Sequence, residues 1–391
     1  MGSASGFECS RCESTFAPDA HTRVCPCGAP LLVRYDLDRL ARTLGPDGWS
    51  LRPAGMWRYR DLLPLPDHLT PVSLGEGGSP LLRLDRLGAD LGLPALYLKD
   101  EGLQPTLTFK ARGASLGVSM ASALGFKEAG MSTTGSAGTA WAAYCARAGL
   151  RLHLTMPADV PPAVREEAER YGAEVHLVPG TIVEAGRAVA EMIAAGRWYS
   201  ADHFQEPFRL EGKKTLGFEV AEALGWRPPS VVLFPTGGGI GPLGMAKAFD
   251  ELSALGWIEG TAPRMVVVQA AGCAPVVKAF SEGRKRAEPW PDPHTIAKGI
   301  RVPETPADSL LLDLLARTGG TAIAVPDSAI LEANDRVARL EGVSPCLEGA
   351  AALAALVPLV ARRWITPPDT VVVVNTGSGL KPGHSAPAKE R

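Results

Sequence analysis

The sequence predicts an α/β protein with two parallel or mixed sheets, preceded by a small cysteine-rich segment. Three observations predict it. Short β-branched runs alternate with Ala/Leu/Glu-rich stretches of helical period from about residue 74 onward. Several runs, such as Val231-Val232-Leu233-Phe234, are apolar throughout, the pattern of strands buried on both faces. Four of the seven cysteines fall between residues 9 and 27, ahead of the alternating region. The bulk composition agrees with a globular chain: 391 residues, 46% apolar and 21% charged, enough for two or three structural units. With 40 basic against 42 acidic side chains, nothing advertises nucleic acid or an anionic membrane. The longest apolar run, 349–361, is too short to span a bilayer and contains Pro358.

Taken in order, residues 1–50 are loop-rich and end in a short helical pattern at 37–44. A linker with Pro53, Pro64, Pro66 and Pro71 follows, where missing N–H donors break regular structure. Strands are expected at 95–99, 151–155, 174–178, 231–234, 265–269, 321–325 and 370–375. Helices are expected at 109–124, 139–148, 162–171, 182–195, 215–224, 243–255 and 348–361. No internal repeat interrupts this order, and a polar, frayed tail is expected after Lys381. The N-terminus lacks a basic region followed by an apolar stretch, so cytoplasm is the expected address.

Cys9 and Cys12 form a C-x2-C pair, and Cys25 and Cys27 a tighter C-x-C pair. Four thiolates satisfy the tetrahedral demand of zinc, and a ribbon this small needs a staple. A structural zinc ribbon and a metal-free relic of one both fit this spacing.

Chemistry concentrates in four loops. Glu101 to Gly113 runs from a strand through Pro105 into a helix, with Lys110 in the first turn. The positive end of the helix dipole disfavours an ammonium there, and so favours the neutral amine that builds a Schiff base. The second loop, Thr236-Gly237-Gly238-Gly239-Ile240, sits between a strand and a helix, where converging N–H groups cradle a phosphate. It lacks both the nucleotide P-loop ending and the dinucleotide glycine spacing. The third, Thr376-Gly377-Ser378-Gly379, brings hydroxyls to the carboxyl end of a buried strand. The fourth, Thr133-Thr134-Gly135-Ser136-Ala137-Gly138-Thr139, offers hydroxyls and free N–H groups to a carboxylate. One cofactor uses the first three together: pyridoxal phosphate, needing a lysine, a phosphate cradle and a ring-nitrogen partner. A neutral hydroxyl of Thr376 or Ser378 at that nitrogen points to elimination and replacement and away from transamination. Other groups read as structural: His153 and His176 as rim or core histidines, Cys145 as packing, with Cys273 a candidate for lining the site.

In these segments the sequence resembles the pyridoxal-phosphate enzymes of the tryptophan synthase β-type fold (fold type II), specifically the threonine synthases. The likeness runs through Ser73-Leu74-Gly75-Glu76-Gly77-Gly78-Ser79-Pro80-Leu81, Lys110, Arg209-Leu210-Glu211-Gly212-Lys213-Lys214-Thr215, the triple glycine and Asn375-Thr376-Gly377-Ser378-Gly379. It implies Lys110 as the catalytic Schiff-base lysine. Gly237, Gly238, Gly239 and Ile240 then hold the cofactor phosphate, Thr376 faces the ring nitrogen with Ser378 a further cofactor contact, and Ser136 lies near the phenolic oxygen. By the same likeness Thr133, Thr134, Gly135, Ala137, Gly138 and Thr139 bind the substrate carboxylate. Arg209, with Lys99 or Arg112 as further candidates, binds a substrate phosphate. The implied reaction converts O-phosphohomoserine and water to threonine and phosphate, in a homodimer. The implied organisation is a zinc-ribbon-like segment over 1–50 and a large domain over 51–115 and 209–391, with a small mobile domain over 116–208. Three positions depart from the family pattern. Ser136 stands where asparagine is usual, Leu107 where glycine is usual, and His203-Phe204 where Asn-Ser is common. Two other readings are therefore weighed: β-elimination or β-replacement on serine, threonine or an activated derivative, and a cofactor-binding protein without catalysis.

Overall fold

The computed structural model describes residues 3–18, 23–196 and 198–381, so the tail expected after Lys381 lies outside the described residues. In chain order the strands are β1 (Ala4–Cys9), β2 (Thr15–Phe16), β3 (Leu31–Tyr35), β4 (Leu81–Arg83), β5 (Leu96–Asp100), β6 (Glu128–Ser132) and β7 (Arg151–Pro157). They continue as β8 (Glu174–Val178), β9 (Tyr199–Ser200), β10 (Val231–Pro235), β11 (Arg264–Ala270), β12 (Thr321–Val325) and β13 (Val371–Asn375). The helices are α1 (Leu37–Thr43), α2 (Pro46–Ser50), α3 (Asp85–Leu91), α4 (Lys110–Ala123), α5 (Ser136–Ala148), α6 (Pro162–Arg170) and α7 (Ile182–Gly196). After them come α8 (Phe208–Ala223), α9 (Ile240–Ala254), α10 (Pro275–Ser281), α11 (Asp308–Thr318), α12 (Asp327–Glu341), α13 (Leu347–Ala354) and α14 (Leu356–Ala361). Among the described residues no helix is long and apolar enough to cross a membrane.

The chain divides into two compact units, Met1–Gly78 with Lys110–Thr215, and Ser79–Phe109 with Leu216–Arg391. The first contains an antiparallel sheet of order β2-β1-β3 and a parallel sheet of order β8-β7-β6-β9. The second contains one six-stranded sheet of order β12-β11-β10-β13-β5-β4, parallel except for β4. Its central strands β10 and β13 are buried at every position, which is why they carry unbroken apolar runs. A core including Leu98, Leu233, Val266, Val373 and Leu353 lies on that sheet.

Helix starts differ from the periodicity reading, each for a local reason. Helix α5 begins at Ser136 and not at 139. The small residues there read as loop, yet Gly138 is required because a Cβ would collide with the Thr133 side chain. Helix α8 begins at Phe208, seven residues before the expected start, because the Glu206 carboxylate accepts the amides of Phe208 (2.6 Å) and Arg209 (3.1 Å). Helix α9 begins at Ile240, directly after Gly239 in the left-handed region at φ +89°. The helix expected at 348–361 is two, α13 and α14, parted at Ala355. Pro358 lacks an N–H and its ring opposes the carbonyl of Ala354. Strand β6 was not expected: Glu-Ala-Gly-Met-Ser has no β-branched residue, and pairing with β7 and β9 makes it a strand.

Candidate active site

In the second unit, β10, β13 and β5 lie side by side and parallel, so the loops at their carboxyl ends are neighbours. The loop after β10 is the glycine cradle. Gly237 and Gly239 are closely hemmed: a Cβ at Gly237 would lie 3.1 Å from the Gly299 carbonyl, and one at Gly239 3.0 Å from Ala307. Among the described residues no acceptor takes the N–H groups of Gly237, Gly238, Gly239 or Ile240, although Gly237, Gly239 and Ile240 are buried. Unspent amides in a glycine turn at a helix start suit an anion, and a phosphate monoester fits that donor set.

The loop after β13 is held on both sides. Asn375 donates from Nδ2 to Asp100 Oδ1 at 2.7 Å, and Asp100 Oδ1 also accepts the Gly102 amide at 3.0 Å. Thr376 is 7% exposed; its carbonyl accepts the Phe109 N–H at 3.0 Å, and its hydroxyl lies 3.5 Å from Cys346 Sγ. The Ser378 hydroxyl instead accepts the Leu380 amide at 3.2 Å, which turns it onto its own loop. Phe109 also packs edge-on against Phe234, with centroids 5.8 Å apart. The residue immediately before Lys110 is thus pinned to the ends of both β13 and β10. Leu107, where the family pattern has glycine, adopts φ +57°, a left-handed conformation that its side chain disfavours.

In the first unit, Lys110 opens α4 on one stripe with Gly113 and Gly117, at i, i+3 and i+7. This stripe meets Arg209 and Lys213 of α8: a Cβ at Gly113 would lie 3.1 Å from the Arg209 carbonyl and 3.3 Å from Lys213 Cε, and one at Gly117 3.6 Å from Arg209 Cγ. Glycine at these positions lets two long cationic side chains lie against α4. Arg209 is 2% and Lys213 3% exposed. The Arg209 guanidinium donates to the Ala201 carbonyl and lies over Trp141 at 5.9 Å. Burial pushes Lys213 well down, helped by Lys110 and Arg209, and burial with the same three cations pushes His203 down. Facing them are Asp202 and Glu206, which burial pushes up, Glu206 to about 7. Burial thus drives Lys213 and His203 toward their neutral forms, and only an anion placed among them would restore their positive charge.

The carboxylate loop ends β6 beside this cluster. Asp202 Oδ1 accepts the Ser132 amide (2.8 Å) and hydroxyl (2.9 Å), which ties the segment carrying His203 and Phe204 to the β6 end. The Thr133 hydroxyl accepts the amides of Gly135 and Gly138, both at 3.2 Å, so it shapes the loop from within. Ser136, Ala137, Gly138 and Thr139 form the first turn of α5, and Thr139 Oγ1 donates to the Ser136 carbonyl at 3.4 Å. Thr134 and Gly135 complete the turn before it.

Two expected phosphate ligands are engaged elsewhere. Lys99 is 1% exposed, ion-paired to Glu219 at 2.7 Å and bonded to the Ser79 carbonyl at 2.5 Å. Arg112 is fully buried and donates to Thr215 Oγ1 at 3.0 Å. Cys273 is fully buried, its amide donated to Ala270 and its thiol pushed up by burial. Sequence reasoning missed Lys213, whose role depends on the α4 glycines, and Glu76, which binds Trp57, Ser115 and Tyr144.

The four N-terminal cysteines converge: Sγ atoms of Cys9 and Cys27 are 3.5 Å apart and those of Cys12 and Cys25 3.6 Å, with all four within 4.8 Å. No disulfide joins them, and hydrogen bonding with Ser14 draws the Cys12 thiol down to about 6.

Comparison with known proteins agrees with this architecture. Residues 72–377 match the family of pyridoxal-phosphate dependent enzymes. The chain is 35% identical to the threonine synthase of Methanocaldococcus jannaschii, over 97% of this chain and 93% of that one. It is 34% identical to the threonine synthase of Methanosarcina acetivorans, over 96% and 92%. Among solved structures, a threonine deaminase from T.th. superposes with a TM-score of 0.65 at 28% identity, covering 77% of this chain and 92% of that one. With its unspent phosphate cradle and its lysine at the start of α4, the chain belongs to the threonine synthase family of pyridoxal-phosphate-dependent enzymes.

Proposed function

We propose that this enzyme converts O-phosphohomoserine and water to threonine and phosphate. The observation that carries the reading is the buried set of basic groups beside Lys110, namely Arg209, Lys213 and His203, which packing and mutual repulsion push away from their charged forms, with both nearby carboxyl groups also pushed toward neutrality. A dianionic ligand among these groups would favour their protonated forms and be held by them. Bound pyridoxal phosphate supplies the electron sink that acidifies the hydrogens near the substrate's amino-bearing carbon.

This chain's own residues do the rest. The amides of Gly237, Gly238, Gly239 and Ile240 would hold the cofactor phosphate, and the Thr376 hydroxyl would face the ring nitrogen. Lys110 Nζ would anchor the cofactor, take the proton from the α carbon and return protons further along the side chain. The turn at 133–139 would hold the substrate carboxylate, with Ser136 near the cofactor's phenolic oxygen. Arg209, Lys213 and His203 would hold the departing phosphate. Cys9, Cys12, Cys25 and Cys27 would carry a structural zinc, since their Sγ separations of 3.5 and 3.6 Å approach the roughly 3.8 Å that tetrahedral Zn–S bonds impose. The reading includes a homodimer, a cytoplasmic address and a small body over residues 116–208.

The test is incubation of the enzyme and cofactor with O-phosphohomoserine, following phosphate and threonine together. Stoichiometric release of both is expected. Keto-acid release from threonine or serine, with O-phosphohomoserine untouched, would replace this reading with β-elimination. Ser136, His203-Phe204 and the likeness to a threonine deaminase favour that second reading.

A further inference from the structure

The four-stranded sheet carries a second cluster, separate from the residues discussed above. His153 of β7 pairs with Glu174 of the edge strand β8, and His176 follows two residues later, so the strand period places all three on one face. One ligand atom from each lies within 4.8 Å of the other two. His153 is 4% exposed and its ring is clamped against Trp198, with centroids 3.7 Å apart and planes 2° from parallel. Its Nε2 lies 2.9 Å from Glu128 Oε2. Its Nδ1 lies 3.3 Å from Glu174 Oε2 without an aligned hydrogen bond, and His176 Nε2 is buried with no partner among the described residues.

Charge leads to the same place. Among the described residues Glu128 and Glu174 share one cation, Arg151, at 3.6 and 3.7 Å, so the carboxylates outnumber it by one. His176 Nε2 is also left without a partner among the described residues. A divalent cation answers both needs. We propose that His153 Nδ1, Glu174 and His176 Nε2 bind a zinc-class divalent ion. Glu128 orients His153 by accepting the Nε2 proton, the usual partner of a metal-bound imidazole. Two imidazoles and a carboxylate suit zinc, with water completing the tetrahedron on the open side where Glu174 is exposed. The ion joins edge strand β8 to β7.

The experiment dialyses the full-length, cofactor-loaded protein against zinc in excess over both sites, removes loosely held metal on a desalting column, and measures metal per chain in the parent and in His176→Ala. His176 lies on an edge strand, so this variant is expected to fold. The parent should hold one zinc more than the variant, and Glu174→Gln should weaken that zinc about tenfold or more. Cobalt substitution separates the cysteine cluster, because only thiolate ligands give sulfur-to-metal charge-transfer absorption. That band should be equal in the parent and His176→Ala. Equal zinc content in both proteins, or loss of the thiolate band along with the zinc, overturns the assignment.

Discussion

Replacing Glu76 offers a graded test of how the first unit is held together. Its side chain is 1% exposed and accepts five hydrogen bonds. Oε1 takes Trp57 Nε1–H at 2.7 Å and the Ser115 hydroxyl at 2.6 Å. Oε2 takes the Tyr144 hydroxyl at 2.6 Å, the Leu74 amide at 2.9 Å and the Ser73 hydroxyl at 3.2 Å. In Glu76→Gln the cheaper arrangement puts the amide nitrogen in place of Oε1. Ser115 can then reverse, because the Val72 carbonyl lies 2.8 Å away to take its hydrogen. Trp57 is left with only the Ser115 oxygen at 3.1 Å, and the other donors lose a charged acceptor. The expected cost is about 2 kcal/mol. Glu76→Ala leaves all five donors without this acceptor and should cost about 4–5 kcal/mol. At about 2.1 cal/mol/K per residue, cooperative unfolding of 391 residues shifts Tm by about 2–3 °C for the first change and 5–6 °C for the second. Differential scanning calorimetry of the cofactor-loaded enzyme measures both. A Gln variant as stable as the parent, or Gln and Ala variants equally destabilised, would refute the network.

Lys110→Ala should remove the visible absorbance of bound cofactor while leaving the far-UV circular dichroism unchanged; an unaltered spectrum defeats the assignment. Lys213→Met should raise KM for a phosphorylated substrate about tenfold or more with the cofactor spectrum intact, and an unchanged KM counts against its role. Gly212→Ala should destabilise severely, by about 3 kcal/mol or more, because the new methyl would press on the Arg112 carbonyl, which cannot swing aside; thermal melting checks it. Leu107→Gly should be neutral or stabilising by up to about 1 kcal/mol, since relief at φ +57° outweighs the added chain entropy. Because the Glu206 pKa is raised to about 7 in the folded state by burial, the native form holds its proton more tightly than the unfolded chain does. Its contribution to stability is therefore full below the ordinary glutamate range and lost as pH rises toward about 7. Glu206→Gln should flatten that slope in urea titrations run across the window.

The segments that carry the proposed cofactor contacts stood out in the sequence because each is local. A lysine in the first turn of a helix and a glycine run between strand and helix act through their own backbone, so short stretches of sequence carry the signal. The buried strands β10, β11 and β13 were legible for the same reason: burial on both faces leaves an unbroken apolar run. Helix α8 and strand β6 were not, since a carboxylate cap and two flanking strands outweigh their own propensities.

By itself the sequence determined the α/β class and the four clustered thiols, and it singled out Lys110 and the glycine run at 237–239 as candidates, all properties of neighbouring residues. Only the tertiary structure decided which basic side chains are tied to other partners. Lys99 and Arg112 read as free charges along the chain, but packing commits Lys99 to Glu219 and Arg112 to Thr215. The glycines of α4 meanwhile bring Lys213 alongside Lys110. Whether a charged side chain is spent or available depends on partners about a hundred residues away, and no local pattern encodes that distance.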